Sequence, residues 1–178
     1  MANATLLITG AAGFTGRHLI AAAIRKGYRC IALAQQKGKE VSGAHDTLVA
    51  DLLDPAALEQ AIAQVKHDFI VHLAAISFVA HGNTAEIYQA NQLGTINLLD
   101  AIRKSVSNIK KILIASSANI CGNTTDLPIT EAAPLAPVNH YGMSKVTMEM
   151  ATKLYADLPI MMSRPFNYTG CGQSPNFL

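Results

Sequence analysis

The chain has 178 residues, 50% of them hydrophobic and 15% charged, with a formal net charge of +2. That length and apolar share predict one domain with a buried core and exclude a disordered chain, which is poor in Ile, Leu and Val and rich in like charge. The basic residues stand singly or in pairs, offering no footprint for nucleic acid or anionic lipid, and no run approaches the ~18 apolar residues of a membrane span.

Residues 6–9 read as a strand ending at Gly10, followed by a helical pattern over 14–26 that Gly27 closes. Residues 28–33 and 47–50 read as the second and third strands. Asp54 and Pro55 open a helix, the Asp as cap and the Pro at the first helical position. The continuous apolar run 69–74 is expected of a strand covered on both faces. Over 84–105 a helical spacing puts Ile87, Asn91, Gly94, Leu98 and Ala101 on one face. A buried strand over 111–115 leads into a loop with Pro128, Pro134 and Pro137. A helix over 138–156 and a last strand over 159–163 follow, then Arg164 and Pro165. Strands alternating with helices imply an α/β, doubly wound fold with a parallel sheet. The N-terminus has no basic, apolar leader, and Cys30, Cys121 and Cys171 are too few and dispersed for a disulfide framework or zinc knuckle. A cytoplasmic protein with reduced thiols is expected.

Gly10, Gly13 and Gly16 sit where the first strand meets the first helix. A dinucleotide pyrophosphate needs bare backbone N–H groups at a helix N-terminus, and a Cβ aimed at it would collide. In that reading Gly10 makes the tight turn, Gly13 lets the backbone approach the phosphates, and Gly16 lets helix pack on strand; a plain β–α turn is the bland alternative. An Asp or Glu ending the second strand would bind the adenosine ribose and repel a 2′-phosphate. No carboxylate stands there before Glu40, whereas Gln35 and Gln36 can donate to a 2′-phosphate and Lys37 or Lys39 can supply charge. The expected cofactor is NADP, with NAD as the alternative.

Tyr141 and Lys145 stand four apart near the start of the helix 138–156, and residues so spaced share a face. The Lys145 ammonium is therefore expected to lower the phenol from its usual ~10 and let it exchange a proton with a carbinol or carbonyl oxygen near neutral pH. Ser116 and Ser117 end the strand 111–115 at the carboxyl edge of the sheet, where ligands of open α/β folds bind, and add a second donor.

Together these residues resemble the extended short-chain dehydrogenase/reductase family, in its nucleotide-sugar branch of NAD-dependent epimerases and dehydratases. The resemblance is carried by the run from Thr9 to Gly16, Asp51-Leu52, His72 to Ala75, Asn91 to Thr95, Ser116-Ser117 ahead of Gly122, the Tyr141/Lys145 pair, and Arg164 to Asn167, in the family's order. It implies Ser117, Tyr141 and Lys145 as a catalytic triad. Phe14 and Thr15 would join the three glycines at the pyrophosphate, Asp51 and Leu52 would flank the adenine, and Leu73, Ala74 and Ala75 would line the cofactor. Asn91 would support Lys145 through water, Pro165 would meet the nicotinamide, and Ser77, Phe78 and Asn167 would meet the substrate. Phe78-Val79 and the stretch 164–175 are similar to GDP-4-keto-6-deoxy-D-mannose reductases. The resemblance further implies a homodimer built on the two long helices. It also implies that residues 1–178 are a dinucleotide-binding part, the portion that closes over a nucleotide sugar lying beyond it.

Dehydratases of the branch place carboxylates directly after the catalytic Ser or Thr, because loss of water across C5–C6 needs its own acid and base. Ala118 and Asn119 stand there instead. The expected reaction is hydride transfer to the C4 ketone of a nucleotide-linked 6-deoxyhexose, with Tyr141 protonating the alkoxide. A 4-epimerase with tightly bound NAD is one alternative and a non-catalytic dinucleotide sensor another. His18, His45, His67, His72, His81 and His140 show no metal spacing, so no metal is expected.

Overall fold

Apolar runs without alternation must be covered on both faces, which a parallel sheet achieves by laying its own crossover helices over itself. The computed structural model describes residues 4–36, 41–77, 82–105 and 108–174. Phe78 and the charges of Lys37, Lys39 and Glu40 lie outside the described residues. Strands β1 (Thr5–Thr9), β2 (Arg29–Ala34), β3 (Asp46–Val49), β4 (Phe69–His72), β5 (Lys111–Ala115) and β6 (Ile160–Ser163) form one sheet in the order β3-β2-β1-β4-β5-β6. Every pairing is parallel, so the doubly wound expectation is met.

Strand periodicity sorts the core into two layers. Leu7, Ile31, Ile70, Ile112 and Ile114 meet Leu58 of α2 (Pro55–Ala63), Leu98 of α4 (Gly94–Lys104) and Met148 of α5 (His140–Thr152). Leu6, Ile8, Cys30, Ala32 and Val71 meet Ile20 and Ala23 of α1 (Phe14–Arg25) on the opposite face. The strand order reverses direction between β1 and β4, and the carboxyl ends of those two strands flank the crevice where open α/β sheets place ligands.

Some elements depart from expectation. The helix expected over 84–105 is α3 (Thr84–Tyr88), a π-helical turn (Gln89–Leu93) and then α4. The Gly94 N–H reaches back to the Gln89 carbonyl, widening the turn, and the side chain of Asn91 is drawn inward to full burial. Such π-bulges often mark functional sites. The strand expected to reach Ala74 stops at His72: the Leu73 N–H makes the last ladder bond, to the Thr9 carbonyl at 3.2 Å, and the Ala74 N–H turns to the Thr9 hydroxyl at 3.2 Å. The helix expected from 138 starts at His140, where Asn139 Oδ1 accepts the Gly142 N–H at 2.7 Å, and its end tightens into a 3₁₀ turn (Lys153–Tyr155). Among the described residues no helix is long and apolar enough to cross a membrane, and no group of His, Cys, Asp or Glu is arranged to hold a metal ion.

Candidate active site

The turn after β1 is shaped by what cannot be there. Gly10 has φ +66°, and a Cβ on it would lie 2.6 Å from Ala74 N and 2.7 Å from Leu73 C, so the turn and the segment after β4 touch backbone to backbone. A Cβ on Gly16 would sit 2.5 Å from Ala11 O, which leaves α1 packed directly on the turn. Gly13 has a more open setting, with only Gly10 O within reach at 3.1 Å, and it heads α1 without a side-chain cap. The first turn of α1 carries no acidic residue. A helix start of this kind, with bare glycine and no carboxylate, fits an anionic phosphate group.

The adenosine end of the crevice is less open than the sequence suggests. Gln35 Nε2 donates to Asp51 Oδ2 at 2.9 Å, and Asp51 Oδ1 accepts the Leu53 N–H at 2.9 Å. Gln35 is thus turned to a carboxylate supplied from beyond β3. Leu52 packs against the core, and its carbonyl accepts from Asn97 Nδ2 at 2.8 Å. Leu73, Ala74 and Ala75 are half-buried beside the glycine turn, whereas Ser77 is exposed.

Ser117, Tyr141 and Lys145 meet at the carboxyl ends of β5 and β6, each less than a tenth exposed. Ser117 is extended (φ −161°), and its Oγ accepts from the backbone and side-chain N–H groups of Asn119 at 3.2 and 3.1 Å. Burial pushes the Tyr141 phenol above its ordinary value, a hydrogen bond with Ser117 pulls it down, and neighbouring Tyr168 adds to the rise. Burial pulls the Lys145 ammonium down to about 8, against a smaller upward pull from Glu149. The expected lowering of the phenol by Lys145 is not found. Lys145 Nζ donates to the Ala115 carbonyl at 2.8 Å, and desolvation is the larger effect on Tyr141.

Buried polar groups hold these side chains in place. Asn91 Oδ1 accepts the Ile76 N–H at 2.8 Å, and its Nδ2 donates to the Ile76 carbonyl at 3.0 Å and to Ser144 Oγ at 2.9 Å. Ser144 Oγ in turn donates to the Tyr141 carbonyl at 2.7 Å. Asn91 therefore grips the first turn of α5, and its amide is turned to Ser144 while Lys145 is turned to Ala115. Arg164 grips the next part of that helix with a two-pronged bond to Glu149, at 3.1 Å from Nε and 2.7 Å from Nη2. Pro165 lies beside Ser117, its carbonyl accepting the Ala118 N–H at 3.0 Å, and Asn167 is exposed. A cavity of about 440 Å³ opens there, lined by Ala118, Glu131, Ser163, Arg164 and Phe166 among others.

The residues after Asn167 fold back across the start of α1, which the sequence reading missed. Tyr168 Oη lies 2.6 Å from Thr15 Oγ1, its ring stacks on Phe14 at 6.1 Å, and His18 Nε2 meets the Cys171 carbonyl at 3.0 Å. Phe14 and Thr15, expected at the pyrophosphate, are thus the residues that hold this strap. Nothing in the local sequence signals a contact across 153 positions.

The NAD dependent epimerase/dehydratase family matches residues 6–177. The chain is 38% identical over 176 residues to GDP-6-deoxy-D-talose 4-dehydrogenase of Aggregatibacter actinomycetemcomitans, covering 97% of this chain and 56% of that protein. Among solved structures, a putative epimerase from Burkholderia cenocepacia J2315 superposes with a TM-score of 0.87 at 38% identity, covering 97% of this chain and 57% of that one. UDP-glucose 4-epimerase from Brucella ovis in complex with NAD superposes with a TM-score of 0.83 at 29% identity, covering 92% of this chain and 52% of that one. The chain spans about half the length of the relatives it matches.

Proposed function

Because this chain belongs to the NAD dependent epimerase/dehydratase family, we propose that the protein transfers a hydride at C4 of a nucleotide-linked 6-deoxyhexose, reducing a 4-keto group in the manner of a GDP-4-keto-6-deoxy-D-mannose reductase. The observation that carries this reading is the buried Tyr141 phenol bonded to Ser117, with no carboxylate following that serine. The similarity to a protein named for 4-dehydrogenation of a GDP-linked 6-deoxy sugar supports it, since oxidation and reduction at C4 are one reaction run in two directions.

In this reading Gly10, Gly13, Phe14, Thr15 and Gly16 hold the pyrophosphate, Gln35, Asp51 and Leu52 the adenosine, and Leu73, Ala74, Ala75, Asn91 and Pro165 complete the cofactor's surroundings. The nicotinamide group supplies or accepts the hydride when bound. Ser117 holds the sugar's C4 oxygen, and Tyr141 gives that oxygen a proton as charge develops on it. Lys145 is the cation that would replace the lost proton and bond the cofactor's ribose. Ser77 and Asn167 face the sugar nucleotide. Gln35 refines the choice of cofactor. A 2′-phosphate would have to draw Gln35 away from Asp51 and sit beside that carboxylate, whereas a free 2′-hydroxyl can accept from one group or donate to the other. The Gln35–Asp51 bond supports NAD(H) over the NADP(H) expected from the strand's missing carboxylate.

A 4-epimerase is the second reading, supported by the same Gln35–Asp51 pair and by the likeness to an NAD-bound UDP-glucose 4-epimerase. Two chains would pair through α4 and α5, and the free thiols of Cys30, Cys121 and Cys171 suit a reducing cytoplasm. The test is turnover of GDP-, UDP- and dTDP-linked 4-keto-6-deoxyhexoses with NADH and NADPH. The reductase reading expects one reduced dinucleotide consumed per sugar. Inversion at C4 of the corresponding 4-hydroxy sugar nucleotides, with no net consumption of dinucleotide, would select the epimerase, and the absence of both reactions would contradict both readings.

A further inference from the structure

Beneath the two halves of the site lies a buried histidine that the proposed chemistry does not use. Thr9, His72 and Thr95 are 1, 2 and 1% exposed and form a line across the crevice floor. His72 Nδ1 lies 2.6 Å from Thr9 Oγ1, and its Nε2 lies 2.9 Å from Thr95 Oγ1. The neighbours fix where each hydrogen sits. Thr95 Oγ1 donates its only hydrogen to the Asn91 carbonyl at 2.7 Å, so towards His72 it can only accept, and Nε2 must carry the proton. A neutral ring then leaves Nδ1 bare to accept the Thr9 hydroxyl, while Thr9 Oγ1 accepts the Ala74 N–H at 3.2 Å.

The result is a chain of one polarity. It runs from the Ala74 N–H through Thr9 to Nδ1, and from Nε2–H through Thr95 to the carbonyl of Asn91. One end is the backbone that touches Gly10. The other is the π-helical turn whose Asn91 side chain holds Ser144 and, through it, the Tyr141 carbonyl. Resting on the function proposed above, we propose that His72, as a neutral Nε2–H imidazole, is a positioning residue that ties the dinucleotide turn to the helix bearing Tyr141.

The chemistry at both ends makes imidazole the fitting side chain. It must accept on one side and donate on the other across a rigid ring, which a carboxylate or an apolar residue of that size cannot do. A second proton on the ring would leave the Thr9 hydroxyl hydrogen without its acceptor and would place a charge facing the Lys145 ammonium, the charged group that acts on His72. Burial and that ammonium hold the ring's pKa down to about 3, in keeping with a permanently neutral link.

The test compares Thr95→Val, which keeps shape and removes the hydroxyl, with Thr95→Ser, which keeps the hydroxyl. In each the titration of Tyr141 is read from phenolate absorbance against a Tyr141→Phe background, together with the dissociation constant for NADH. Thr95→Val is expected to raise the Tyr141 titration and to weaken NADH about three- to tenfold, the loss of one or two buried hydrogen bonds, and Thr95→Ser to restore both. A Thr95→Val protein that melts cooperatively yet keeps the wild-type titration and affinity would overturn the proposal. Nitrogen-15 resonances of His72 in the wild-type protein test it without any variant. Protonated Nε2 and bare Nδ1 at neutral pH are expected, and the opposite tautomer or a doubly protonated ring would overturn it. A wild type that binds neither NADH nor NADPH would sink the functional reading instead, while the tautomer and the Tyr141 titration would still decide the role of His72.

Discussion

The two halves of the crevice are built by different means. On the β1 side the geometry is made of backbone, where Gly10 and Gly16 permit approaches that any Cβ would block. On the β5 side it is made of buried polar side chains, with Asn91, Ser144, Glu149 and Arg164 each holding a part of α5. A backbone-made site fails by collision, and it fails as a whole. A side-chain-made site loses one bond at a time, so its chemistry can be altered while the fold survives.

Substitutions break this contrast in order of size. Gly10→Ala puts a Cβ into the backbone of residues 73 and 74 at a positive φ, so it should cost about 3 kcal/mol or more in urea unfolding and abolish dinucleotide binding; wild-type stability would refute the steric account. Tyr141→Phe removes only a proton donor. It should cut turnover ~10²-fold or more while leaving urea unfolding within about 1 kcal/mol and NADH binding unchanged, and retained activity with an unchanged pH profile would refute its role.

Lys145→Met probes the cost of a buried cation. The folded chain releases the Lys145 proton near pH 8, while the unfolded chain keeps it up to the ordinary lysine range near 10.5. Wild-type stability should therefore rise with pH across that window, and Lys145→Met should be the more stable protein at pH 7 by a margin that shrinks above pH 8. Parallel stability curves for the two proteins would contradict the burial of this charge. Tyr168→Phe is the mildest change. It frees Thr15 but keeps the ring stacked on Phe14, and it should speed NADH release about threefold in stopped-flow displacement without moving the melting temperature.

The same contrast explains what was legible in the sequence. Gly10, Gly13 and Gly16 announce a backbone-made turn because glycine is itself the signal, and the apolar runs mark all six strands of the sheet. Tyr141 and Lys145 are legible because helical spacing puts them on one face. The π-helical turn is not, since Ile87 and Leu98 fit an unbroken helix as well as an interrupted one, and the extra residue shows only through the partners of Asn91. His72 reads as one apolar-run histidine among six, because its partners lie 63 and 23 positions away. The Gln35–Asp51 bond and the Tyr168 strap likewise join distant segments, which no local pattern encodes.

The central claim is hydride transfer at C4 of a sugar held against Ser117 and Tyr141. It is tested most directly by supplying the protein with reduced dinucleotide deuterated at its transferable position together with a GDP-linked 4-keto-6-deoxyhexose, and locating the label by NMR. Deuterium bonded to C4 of the product is the predicted result. A sugar product without deuterium, or with it at any other carbon, would contradict the account.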